Sequence, residues 1–163
     1  MKRKLLFSFL LVMGMIVLMR WHGADLITPV SPKGIIDVEF AKTKERLHQL
    51  LLFLNVDIIR QNLYLDFLFL LAYGWFFVTA CTYVRNKTGW VKTCGLFISL
   101  SISAALFDVA ENFLLLLVLG GRFDPILLYV VYYTAAIKFI MAGAVVLFLL
   151  FSWPFALRKA ASK

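Results

Sequence analysis

Residues 96–119 read LFISLSISAALFDVAENFLLLLVL, a run of 24 residues whose only ionisable side chains are Asp108 and Glu111. At about 1.5 Å per helical residue the run is about 36 Å long, enough to cross a hydrocarbon core of about 30 Å with some tilt. Two acids are tolerated in such a run only if they face protein rather than lipid. The spacing provides for this. Ser101, Ala104, Ala105, Asp108, Glu111, Asn112 and Leu115 recur on one helical face, so the polar groups share a stripe of small residues suited to helix packing.

Three more apolar runs lie outward from this one. The spans are predicted at about 5–20, 63–84, 95–119 and 126–153, in a single membrane domain covering 1–163. The first run follows Met1-Lys2-Arg3-Lys4 and is short, which is also the design of a signal peptide. No small-x-small cleavage site follows it, only Arg20, Trp21 and His22, so an uncleaved helix is expected. Short, turn-rich connections at 85–92 and 120–125 force neighbouring helices to run in opposite directions. The fold class expected is therefore an all-α membrane protein, an antiparallel four-helix transmembrane bundle with one extracytoplasmic amphipathic helix.

That extra helix is predicted at about 36–59, after a loop marked by Pro29, Pro32 and Gly34. Ile36, Phe40, Thr43, Leu47, Leu50, Leu51 and Leu54 form one stripe, with Asp37, Lys42, Glu45 and Gln49 opposite. Such a helix lies on the membrane or caps the bundle. Glu39 sits at the edge of the stripe, where it either stays solvated or turns toward the bundle.

Composition agrees with a bilayer setting: the chain is 63% hydrophobic, with a mean hydropathy of +0.89, far outside the soluble range. The net charge of +8 does not indicate nucleic acid, because the bases stand at the ends of apolar runs. Lys2, Arg3, Lys4, Arg85, Lys87, Lys92, Arg158, Lys159 and Lys163 fall on the predicted cytoplasmic side, while all nine acids lie in the outer half or beyond. This asymmetry predicts a cell (inner) membrane protein with both termini cytoplasmic. Cys81 and Cys94 form neither a metal-binding spacing nor a disulfide framework.

The chemistry open to the chain is narrow. His22 and His48 both lie outside the spans, so no intramembrane histidine metal site or histidine-dependent nucleophile is available, and no cofactor or metal is expected. The candidate polar pocket comprises Asp66, Asp108, Glu111, Asn112 and Lys138, with Glu39 in the helix above. On the fourth span, Val131, Thr134, Ala135, Lys138 and Ala142 share a face, and Lys138 comes within about 6 Å of the axial level of Asp108. One reading is a structural ion pair of Lys138 with Asp108 or Glu111, bridged by Asn112, with Asp66 held by Arg60. The other is a surplus of acids to be neutralised by a proton, a cation or a polar lipid headgroup, as in a binding or transport-type protein.

An intramembrane enzyme acting on a lipid or isoprenoid, with Glu111 or Asp108 as general acid, is a third reading. An accessory subunit of a membrane complex is a fourth. The lipid bilayer is the one partner the composition requires; a homo-oligomer or a membrane partner protein stays open, and the ligand is not specified. The first span, free of ionisable residues between Leu5 and Met19, reads as scaffold, and the Phe-rich runs read as lipid-facing bulk.

The segments Gly34-Ile35-Ile36-Asp37-Val38-Glu39-Phe40-Ala41, Leu65-Asp66-Phe67-Leu68-Phe69 and Phe107-Asp108-Val109-Ala110-Glu111-Asn112 resemble an uncharacterised family of small four-span bacterial integral membrane proteins. The resemblance covers most of the chain and implies a bacterial inner-membrane location. It carries no activity, ligand or catalytic residue to these positions.

Overall fold

A computed structural model describes residues 1–161, with side chains through 158. Lys163 and the side chain of Lys159, two of the expected cytoplasmic bases, lie outside the described residues. The described chain is helical, and four of its helices are long and apolar enough to cross a membrane. These are α1 (Lys2–His22), α4 (Val56–Thr88), α5 (Val91–Leu119) and α6 (Pro125–Ala161), with α2 (Ile35–Glu39) and α3 (Lys44–Phe53) between α1 and α4.

Local chemistry sets the helix ends. Asn55 caps α4 by accepting from the amides of Asp57 at 2.9 Å and Ile58 at 3.4 Å. At the far end Gly89, with φ 78°, closes α4 in the left-handed conformation, its amide donating to the Arg85 carbonyl at 2.9 Å. The connection expected over 85–92 thus shrinks to Gly89 and Trp90, because the polar residues 85–88 continue the helix. Asp124 then accepts from the Ile126 amide at 2.8 Å, and Pro125 opens α6 at a position that needs no amide donor.

α4, α5 and α6 pack on one another, and α1 lies against α4. At one end Met1 Sδ accepts from Asn86 and the Trp90 ring packs at a tilt against Phe155; at the other His22 meets Gln61 and the Arg60 guanidinium donates to the Leu119 carbonyl. Burial of apolar surface does not by itself drive helices together in lipid, so close packing and polar links matter more. Gly74 on α4 faces Ala105 on α5, where an added Cβ would sit 3.7 Å from the alanine methyl. The small-residue stripe is an interface: Ser101, Ala104, Asp108, Glu111, Asn112 and Leu115 are all buried.

The single amphipathic helix expected over 36–59 is replaced by two. The chain is non-helical between Phe40 and Thr43, where α3 restarts on a Thr43 cap that accepts from the Arg46 amide at 3.2 Å, and residues 56–59 belong to α4. The break has a physical cause. A continuous helix would hold its apolar stripe along one line, whereas the break lets Val38 and Ala41 join Leu47, Leu50 and Leu54 in one cluster with Leu115, Val118, Leu128 and Val131. α2 packs on α6: Phe40, at its C-terminal end, lies edge-on to Tyr132 at 5.4 Å and against Phe139 at 5.9 Å. The chain between α1 and α2 is largely irregular, so its backbone groups need partners outside a regular helix. Ser31 and Asp37 supply the missing partners, with the Lys33 amide donating to Asp37 Oδ2 at 2.8 Å and Ser31 Oγ donating to the Gly34 carbonyl at 2.7 Å.

Gly34 turns the chain into α2 at φ 64°, ψ −128°, a region that side chains with a Cβ rarely enter. An added Cβ would meet only ordinary contacts, the nearest 3.5 Å away at Ile27, so the cost of Gly34→Ala is backbone strain. A loss of about 1–3 kcal/mol is expected, read as a lower unfolding midpoint in detergent together with faster proteolysis of the 23–44 segment. A midpoint equal to that of the unaltered chain would show that the turn tolerates other backbone conformations.

Candidate functional site

Lys138 projects from α6 into the interface with α5, and three carboxyls converge on its ammonium. Nζ donates to Asp108 Oδ1 at 2.8 Å, and stands 2.6 Å from Glu111 Oε2 and 3.5 Å from Glu39 Oε2. The last two are ion pairs without hydrogen-bond alignment, since Glu39 Oε2 and both oxygens of Glu111 have no hydrogen-bond donor. Lys138, Glu39, Asp108 and Glu111 are all buried. The fold thus brings together Glu39, Asp108, Glu111 and Lys138, the first from a separate element outside the four long helices. Glu39 is not the solvated acid that its place at the edge of the stripe allows.

Around this centre stands a second layer. Tyr73 Oη on α4 donates to Asp108 Oδ2 at 2.8 Å, and Asn112 Nδ2 on α5 donates to Asp66 Oδ2 at 2.6 Å. Asn112 therefore does not bridge Lys138 to an acid, as the helical spacing suggests. Arg60 does not hold Asp66 either: it pairs with Asp57 at 3.5 Å and donates to the Leu119 carbonyl at 3.0 Å. The cause is register. Asp66 lies almost two turns beyond Arg60 on α4, facing inward, while Arg60 reaches the last turn of α5.

Burial pushes the Glu39 carboxyl above its ordinary value of 4.5; the Asp108 carboxylate adds to the rise and the Lys138 ammonium opposes it. The folded state then holds the Glu39 proton more tightly than the unfolded chain does. Its contribution is fully favourable below pH 4.5 and is lost as pH rises from there through the raised folded value. Stability in detergent is expected to fall over this interval, and Glu39→Gln is expected to flatten the fall. Identical pH profiles for the two proteins would remove Glu39 from the titration. Glu39 faces Lys138 on α6 and Asp108 and Glu111 on α5, so their charges enter the same profile.

The cluster opens on a cavity of about 470 Å³ bounded by α1, α2, α4 and α6, with Asp108 of α5 at its polar end. Glu39, Asp66, Tyr73, Asp108 and Lys138 form its polar end; Phe69, Phe76, Phe77, Phe139 and Ala142 continue the wall. A groove of about 740 Å³ adjoins it at Phe76, Phe77 and Val146 and runs along α1, α4 and α6 as far as Lys2, Trp153 and Leu157. Sequence reasoning missed two contributors. α1, expected as scaffold, supplies Val12, Met13 and Ile16 to the cavity, and several phenylalanines expected to face lipid line it instead. Neither carries a sequence signal, because an apolar residue reads alike whether it meets lipid, protein or a cavity.

Among the described residues no group of three or more His, Cys, Asp or Glu is arranged to hold a metal ion. The centre of the acidic cluster is occupied by the Lys138 ammonium. Among the described residues the cavity wall presents no serine, cysteine or histidine, so they can bind, hold charge and exchange protons but offer no side-chain nucleophile of those types. No family model, curated protein or solved structure matches this chain.

Proposed function

We propose that this chain is a binding or transport-type protein of the bacterial inner membrane that takes the polar headgroup of an amphiphile into the chamber formed by Glu39, Asp66, Asp108 and Lys138. In this reading the four long helices form an antiparallel bundle with both termini cytoplasmic, and α2 and α3 cover its outer mouth. The excess of bases at the Met1, 85–92 and Arg158 end supports that orientation. The observation that carries the proposal is the junction of the charged chamber with an otherwise apolar cavity and groove. A proton or a bare cation would account for the carboxyls alone. An amphiphile accounts for both halves, since ligand sites pair apolar walls with a few placed polar groups.

Native mass spectrometry of the purified chain in a mild detergent tests this. A small molecule with a hydrocarbon chain is expected to stay bound and to be released chemically unaltered after incubation. Bare protein would count against the proposal. Turnover of a lipid extract would favour an intramembrane enzyme, and a co-purifying protein with no small molecule an accessory subunit.

A further inference from the structure

Resting on that reading, we infer that the headgroup is a primary ammonium carried on a hydrocarbon chain, seated between Asp66, Glu39 and Asp108. Among the described residues four carboxyls, Glu39, Asp66, Asp108 and Glu111, surround a single cation, so the chamber has room in its charge balance for another. Asp66 marks the place. It borders the cavity, accepts one hydrogen bond from Asn112, and among the described residues is the only acid of the four with no cation within ion-pair distance. Glu39 is a second sign. It is 6% exposed, borders the same cavity, and its Oε2, although 3.5 Å from the Lys138 ammonium, has no hydrogen-bond donor. Buried acceptors left without donors are costly, and an entering N–H group would satisfy them.

The nature of the deficit selects the head. An anionic phosphate or sulfate would add like charge to the chamber, and a hydroxyl would bring a donor without neutralising anything. A quaternary ammonium would bring charge without a donor. A primary ammonium brings both, in the compact and strongly hydrogen-bonding form that Lys138 itself presents. Its chain would follow the cavity past Phe77 and Val146 into the groove; cavity and groove together run along α6 from Lys138 to Leu157, about 28 Å of helix.

The full chain in nanodiscs of phosphatidylcholine, read by native mass spectrometry, tests this against four probes of equal chain length: hexadecylamine, hexadecanol, hexadecyltrimethylammonium and hexadecyl sulfate. The amine is expected to be retained at least about tenfold more tightly than the alcohol or the quaternary ion, with the sulfate weakest. Asp66→Asn, which keeps an oxygen for Asn112, is expected to erase most of that preference with little change in the unfolding midpoint; Glu39→Gln is the second variant should the first fail to accumulate. Equal retention of amine and alcohol, or of primary and quaternary ions, would overturn the ammonium head while leaving the amphiphile reading in place. So would an unchanged preference in Asp66→Asn, which would trace it to the bilayer. Retention of none of the four would overturn the amphiphile reading itself.

Discussion

Lys138→Met is expected to lower stability by about 3–5 kcal/mol, the cost of removing one partner from a buried ion pair. Methionine keeps the length and apolar stem of the side chain, so little packing is lost; what disappears is the only ammonium among the described residues in contact with Glu39, Asp108 and Glu111. Glu111 is fully buried and cannot turn to water. It must take up a proton or force α5 and α6 apart. Unfolding in detergent, followed by the helical signal, measures the loss. Adding Glu111→Gln should recover more than half of it, because replacing both partners of a buried pair leaves no stranded charge. A single variant as stable as the unaltered chain near neutral pH would show that the carboxyls are already held neutral, and would sink the electrostatic account of the cluster.

A second large effect is expected on binding rather than on folding. Ala142 lies one turn below Lys138 on the same face of α6 and borders the cavity between Phe139 and Val146. Phenylalanine there should fill the passage between the polar chamber and the groove. Retention of the bound amphiphile should drop at least about tenfold, or 1.4 kcal/mol, with the unfolding midpoint close to that of the unaltered chain because the new ring enters empty space. Full retention in a protein shown to be folded would mean that the ligand lies elsewhere. Together the two substitutions separate the roles of the site: the first removes charge that holds α2, α5 and α6, the second blocks space and leaves every charge in place.

Much of the site was legible before any coordinates. Asp108, Glu111, Asn112 and Lys138 stand out because an ionisable or amide group inside an apolar run must find a partner, and helical periodicity put the first three on one face. Their pairing was only half legible. Axial depth brought Lys138 within about 6 Å of the level of Asp108, but whether Asn112 turns toward the lysine or toward Asp66 depends on the rotation of α5 against α4. Glu39 was ambiguous for a related reason. Its helix is five residues long, and the periodicity of the longer window hid the break at Phe40 that lets α2 tilt inward.

The number of long apolar helices, and the identity of the charges inside them, follow from the sequence itself, because transfer of apolar residues and of charges into lipid is decided residue by residue. The convergence of three carboxyls on Lys138, the inward seat of α2 and the cavity shared by α1, α4 and α6 do not. They arise from how helices rotate and cross once inserted. In lipid that choice rests on packing and polar contacts between residues far apart in the chain, for which periodicity along one helix holds no information.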